Sequence, residues 1–242
     1  MDKGFGFSRT ITLDWLDLTA SLCLQGVEPA VIRQQLAGSI SDTVYGLEAQ
    51  RKTIDVLMAI WIKSKDSVPV LHKQALSIFP TLTTANERLW AHYGLALAYY
   101  PVFRKCVNVI GQISRTEESI TRNVVKDKIA ADFGHFGALN RAVERILASL
   151  KNWGVLIGTS EKSIYKILRK TFDTQNPELE TWLLACSLSA HPSDGLPIND
   201  LVQLPELFPF QIRIGVDVLQ KSAIFEVHRQ GGGLDNIFLK IS

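Results

Sequence analysis

Apolar residues recur every three to four positions along most of this 242-residue chain, a spacing that lines one face of an α-helix and does not suit a strand. Prolines and glycines punctuate the pattern and set where each helix starts and stops. Leu13, Leu16, Ala20 and Leu24 share a face over residues 12–24, and the acid pair Asp14/Asp17 opposite reads as a solvated face. Gly26 ends that helix, and Pro29 suits the first turn of the next, which runs to Gly38. Residues 46–63 carry Leu47, Ile54, Leu57, Met58 and Trp61 on one face. Further helices are expected at 68–78, stopped by Phe79-Pro80, and at 85–99, where Thr83 or Thr84 caps and Glu87 lies near the positive end.

From Tyr100 the organisation changes. A helix over 101–113 opens on proline. Ser114-Arg-Thr-Glu117 matches a capping box and places a helix at 116–132, with Ile120, Val124 and Ile129 as its buried row. Gly134 and Gly137 break the chain before a helix at 138–152, whose inward residues are Leu139, Val143, Ile146, Leu147 and Leu150. Trp153-Gly154 leads into short apolar runs at 155–157 and 164–168, separated by a polar turn at 158–163. Three helices and a β-hairpin are the order of a winged helix-turn-helix. The last segment repeats that order loosely. It has a helix at 178–190, a polar turn at 191–195, a short helix near Pro197 and a helix at 210–221. Strands at 224–227 and 234–241 follow, joined across glycines 231–233. The expected fold is mainly α: a helical N-terminal domain (1–99) followed by winged helix-turn-helix units with small β-hairpins, at 100–170 and 171–242.

Charge follows the same division. The overall balance is +2, but residues 1–102 cancel at nine basic and nine acidic. Residues 103–170 hold 13 basic and 6 acidic side chains, a net of +7, and residues 171–242 hold 4 and 9, a net of −5. A basic segment in this setting suits phosphate contact, although a solvated helix surface has the same composition. Arg141 and Arg145 fall together outside the apolar row of their helix, with Lys151 near its end. Arg115, Arg122 and Lys126 form a second stripe, and Lys162, Lys166, Arg169 and Lys170 surround the hairpin. Cations on an exposed helix face and a wing are what counterion release from double-stranded DNA requires. Glu144 and Glu161 interrupt the pattern. His228, Arg229 and Gln230 beside the glycines offer a second wing tip, whose acidic surroundings favour structure or protein contact.

Nothing in the sequence carries recognisable catalytic chemistry. Histidines 72, 92, 135, 191 and 228 are scattered, none in a metal-ligand spacing, and His92 lies in an apolar helix as a core histidine. Cys23, Cys106 and Cys186 are odd in number, far apart and in apolar patterns, which suggests buried reduced thiols and a cytoplasmic protein. No enzyme, cofactor, metal or small-molecule substrate is expected. The five tryptophans read as core. No leader sequence is recognisable, and no apolar run approaches the roughly 18 residues that span a bilayer, so no membrane partner is expected.

The arrangement resembles the BrxA family, accessory proteins of bacteriophage-exclusion (BREX) defence systems. The likeness covers about residues 8–170. It rests on the early helical hairpin at 13–36, the helix starting near GLEAQRKTI and the stretch NERLWAHYGLALAYYPVFRKCVNVI, followed by SRTEESITRNVVKDKI and LNRAVERILASLKNWGVL. That resemblance implies a mainly α-helical fold with winged-helix features that binds double-stranded DNA alongside other defence-system subunits. It makes Arg122, Lys126, Arg141 and Arg145 the candidate contacts. Residues 171–242 extend beyond the family pattern. The alternatives are a protein–protein scaffold subunit without DNA binding, and a transcriptional regulator that dimerises on a palindrome.

Overall fold

A side-chain cap or a first-turn proline marks most of the α-helix starts among the described residues. The structure, a computed structural model, describes residues 6–230 and 234–240. Thr12 accepts from the Trp15 amide and opens α1 (Leu13–Leu24), and Pro29 sits in the first turn of α2 (Pro29–Ile40). α3 (Leu47–Met58) does not run on as one regular helix. It widens into a π-helical segment at Ala59–Lys63 before the short α4 (Ser64–Ser67). In that segment the Trp61 carbonyl accepts from His72 Nε2 at 2.8 Å and Cys23 Sγ at 3.4 Å. Leu47, expected to face inward, stands exposed at the start of α3, while Ile54, Leu57, Met58 and Trp61 are buried. α5 (Pro69–Ile78) follows. α6 (Ala85–Tyr99) carries a complete capping box between Thr84 and Glu87, and every residue from Leu89 to Leu97 is buried. It is the central helix, covered on several sides, which is why its apolar face is so broad.

α7 (Pro101–Ile113) starts on proline as expected. The next element does not. Residues 119–121 form strand β1 (Ser119–Thr121), and α8 spans Arg122–Phe133 with Thr121 as its cap, accepting from the Val124 amide at 3.3 Å. The Ser114 hydroxyl donates to the Gly111 carbonyl at 2.7 Å, so the capping box read at 114–117 is not formed. Ile120 is buried in a strand, Val124 faces out, and Val125 with Ile129 faces in. α9 (Gly137–Asn152), β2 (Leu156–Gly158) and β3 (Ile164–Ile167) complete this part. β3 pairs antiparallel with both other strands, Ile120 opposite Tyr165 and Ile157 opposite Lys166, giving the sheet order β1-β3-β2.

The last segment has α10 (Pro177–Ser189), β4 (Gly195–Pro197), α11 (Ile198–Leu201), a 3-10 turn at Pro205–Leu207 and α12 (Val216–Lys221). It ends in β5 (Phe225–Gln230) and β6 (Leu234–Leu239), with sheet order β4-β6-β5. β4 occupies the end of the expected polar turn. The helix expected at 210–221 is only half present, because the buried Glu180 carboxylate accepts from the Arg213 and Ile214 amides at 2.6 and 3.1 Å and holds that stretch extended. Helix, strand, two helices and two strands thus occur twice in succession, each time with the first strand paired to the third.

One hydrophobic core runs through all three segments, from Phe7 to Ile237. Phe7 packs edge-on against Tyr100 and stacked on Phe103. The Ile11 amide donates to Ser149 Oγ at 2.8 Å, and Trp153 Nε1 donates to the Ile11 carbonyl at 2.9 Å, which ties residues 7–11 to α9. Trp182 of α10 lies over Gly94 of α6 and donates to the Leu71 carbonyl at 2.9 Å. Trp61, Trp90, Trp153 and Trp182 are all core residues. Among the described residues no helix is long and apolar enough to cross a membrane.

Candidate nucleic-acid interface

The amphipathic period of α9 buries Leu139, Val143, Ile146, Leu147 and Leu150 and turns Arg141 and Arg145 to solvent, one helical turn apart. Neither makes a salt bridge with another described residue. Lys151, also exposed, reaches the base of the hairpin: a Cβ placed on Gly158 would lie 2.9 Å from its Nζ. Lys162 is exposed in the turn between β2 and β3. These four cations lie along α9 and the adjoining hairpin.

Arg122 and Lys126 are placed differently. Lys126 Nζ donates to Glu144 Oε1 at 2.5 Å, and Arg122 Nη1 lies 3.9 Å from the same oxygen. The Lys126 hydrogen bond and nearby positive charge hold the Glu144 carboxyl below its usual range. Part of the α8 charge is therefore already spent inside the protein, and both side chains are only partly exposed.

Arg115, Lys166 and Arg169 form a separate group. With Ser114, Thr116 and Thr171 they line a groove of about 440 Å³ at the C-terminal end of α7, which Glu117 and Glu118 also enter. Arg115 donates to the Gln203 carbonyl at 3.0 Å and Arg169 to the Ser114 carbonyl at 3.1 Å. The Lys170 amide donates to the Phe208 carbonyl at 2.9 Å, with its side chain exposed. Arg115 and the Lys170 amide thereby join the second strand-containing unit to the first, while Arg169 bonds within the first. Arg115 does not share a helix face with Arg122 and Lys126, because β1 intervenes.

Sequence reasoning missed the most connected polar cluster. Asp17 is no solvated acid: its Oδ1 accepts from His92 Nε2 at 2.8 Å and from Arg88 Nε at 3.0 Å. Trp61 Nε1 donates to His92 Nδ1 at 2.9 Å, so the neutral ring carries its proton on Nε2. Burial pushes the Asp17 carboxyl up, but hydrogen bonds and charge from His92 and Arg88 outweigh it, and the net shift is downward. Burial holds the His92 pKa below its ordinary value against the pull of Asp17. The His92 ring is fully enclosed between Trp61, Phe79 and Asp17, while the Asp17 and Arg88 side chains stay about a quarter exposed, so the cluster braces α1 against α6 at the edge of the core.

Cys23, Cys106 and Cys186 are free, and burial pushes all three thiols up, which disfavours the thiolate that nucleophilic or metal chemistry needs. A second open groove, of about 570 Å³, lies between the end of α10 and the second sheet. His191, Asp194, Glu226 and His228 edge it. His228 Nε2 is 3.2 Å from Glu226 Oε2, and His191 Nδ1 accepts from the Ser193 amide. Among the described residues no group of three or more histidines, cysteines and acids is placed to hold a metal ion. The glycines of the expected second wing tip, residues 231–233, lie outside the described residues. No known family model, no curated protein and no solved structure matches this chain.

Proposed function

We propose that the chain is a non-catalytic, cytoplasmic DNA-binding accessory or adaptor protein of a prokaryotic anti-phage defence system, related to the BrxA family. The observation that carries the reading is the outward pair Arg141 and Arg145 on α9, flanked by Lys151 and Lys162 at the hairpin. In a winged helix-turn-helix the second helix of the pair enters the major groove, and the wing meets the backbone. The order α7-β1-α8-α9-β2-β3, with β1 paired to β3, favours assigning those roles to α9 and to the turn at 159–163. Arg and Lys side chains on such elements bind phosphate first, so affinity outweighs sequence preference.

The test is binding of labelled duplex DNA across a salt series. Each phosphate contact contributes a slope of about −0.9 in log affinity against log salt, so Arg141→Ala/Arg145→Ala shallows the slope by about 1.8. Arg115→Ala/Arg169→Ala, which removes cations whose guanidinium groups bond main-chain carbonyls, leaves the slope unchanged. A folded wild type that ignores duplex at low salt ends this reading and puts the protein–protein scaffold in its place.

A further inference from the structure

Each strand-containing unit has a groove where its first helix ends beside its sheet. In the first unit that helix is α7 and in the second it is α10, and the grooves measure about 440 and 570 Å³. A helix ends on main-chain carbonyls that carry partial negative charge, and neither α7 nor α10 has a basic residue in its last turn to offset it. The first unit meets that charge with its own arginine. Arg169 donates to the carbonyl of Ser114, the C-cap of α7, at 3.1 Å, and in this groove Arg115, Lys166 and Arg169 outnumber Glu117 and Glu118.

The second groove has the same kind of helix end and the opposite lining. Asp194 and Glu226, both exposed, stand at its edge, Leu188, Phe238 and Leu239 supply apolar surface, and no lysine or arginine is among the described residues that line it. Glu226 approaches the His228 ring at 3.2 Å. Two carboxylates and a helix C-terminus beside apolar surface suit an arginine, whose guanidinium pairs with carboxylates while its methylene stem covers the apolar part. The chain itself carries such side chains. Arg141 and Arg145 stand exposed one turn apart on α9, within the segment of net charge +7, and the groove lies in the segment of net charge −5. We propose that the acidic groove of one copy receives the α9 arginines of a second copy. The two surfaces differ, so the contact is head-to-tail, and each added copy leaves one groove and one helix face free. Association therefore continues past a dimer. It is measured without nucleic acid and does not depend on the DNA-binding reading. Where both hold, a duplex competes with the second copy for Arg141 and Arg145.

The experiment is sedimentation velocity of the full chain over a concentration series at low and high salt. Wild type is expected to grow past a dimer at low salt and to return to monomer at high salt, because contacts between exposed charges are screened. Asp194→Lys/Glu226→Lys and Arg141→Glu/Arg145→Glu each weaken association by at least roughly tenfold, with the thermal transition unchanged because all four side chains are exposed. Mixing the two variants restores association, since the first keeps the basic helix face and the second keeps the acidic groove. Wild type that stays monomeric at low salt overturns the proposal, as do variants that associate like wild type or a mixture that stays monomeric. A labelled arginine-rich peptide is the last arm. If monomeric wild type binds it and Asp194→Lys/Glu226→Lys does not, the groove belongs to a different basic protein and the second copy is refuted.

Discussion

Replacing Gly111 by alanine probes a close backbone approach between the two strand-containing units. A Cβ at this position of α7 would lie 1.8 Å from the Pro205 carbonyl oxygen, 2.5 Å from its carbon and 3.0 Å from its Cα. Carbon and oxygen in such a contact need about 3.3 Å, so the turn at Pro205–Leu207 must move by on the order of 1.5 Å. Two hydrogen bonds depend on its position: Tyr93 Oη to the Glu206 carbonyl and Asn108 Nδ2 to Glu206 Oε2, both 2.7 Å. The Glu206 side chain is buried, so moving it away from Asn108 leaves a carboxylate poorly satisfied. Overpacking costs about 1–3 kcal/mol and a weakened buried hydrogen-bond pair about 2 kcal/mol, while alanine returns about 1 kcal/mol of helix propensity. The net is a loss of about 2–4 kcal/mol in denaturant unfolding followed by circular dichroism. Gly38→Ala is the matched control, because nothing lies within 4 Å of its Cβ position in α2. There alanine stabilises by about 0.5–1 kcal/mol. A Gly111→Ala loss below about 1 kcal/mol, or equal effects at both sites, refutes the close approach.

Thr121→Ala costs about 1 kcal/mol by uncapping α8, whereas Glu117→Ala stays within about 0.5 kcal/mol; equal effects in denaturant titrations contradict the observed helix start. Because burial depresses the His92 pKa, the unfolded chain binds the proton more readily. Stability is therefore full above the ordinary histidine value of 6.5 and falls as pH drops below it, while the depressed Asp17 carboxyl adds a further loss at lower pH. His92→Gln removes the slope between about pH 5 and 7 in unfolding experiments, and an unchanged slope shows that another group is responsible. Glu144→Gln releases Lys126 and Arg122 and removes a negative charge beside Arg145. On the proposed function it tightens duplex binding several-fold and steepens the salt slope, with stability changed by no more than about 1 kcal/mol; weaker binding counts against α8 as part of the DNA face.

Elements whose signals are local were legible in the chain. α1, α5, α6, α7 and α9 lie within a residue or so of their expected bounds, since each cap, proline or apolar row acts within a turn of the residue that carries it. The same reasoning failed at Ser114–Glu117. A capping box is a pattern of neighbours, but the choice between helix and strand at 119–121 was made by an edge offered by β3, more than 40 residues on. Likewise Asp17 looked solvated because its partners, Arg88 and His92, stand 71 and 75 residues away.

The candidate site divides along the same line. Helical spacing alone placed Arg141 and Arg145 outside the apolar row of α9, because a side chain's direction on a helix follows from its position. Whether a cation is available to a partner depends on its neighbours in space. Glu144 takes up Lys126 and approaches Arg122, while Arg115 and Arg169 turn to the Gln203 and Ser114 carbonyls. By itself the sequence determined a mainly helical chain with a basic middle segment, since period and composition are properties of the chain. Tertiary structure alone decided which of those cations other residues engage, since packing brings distant residues within bonding distance.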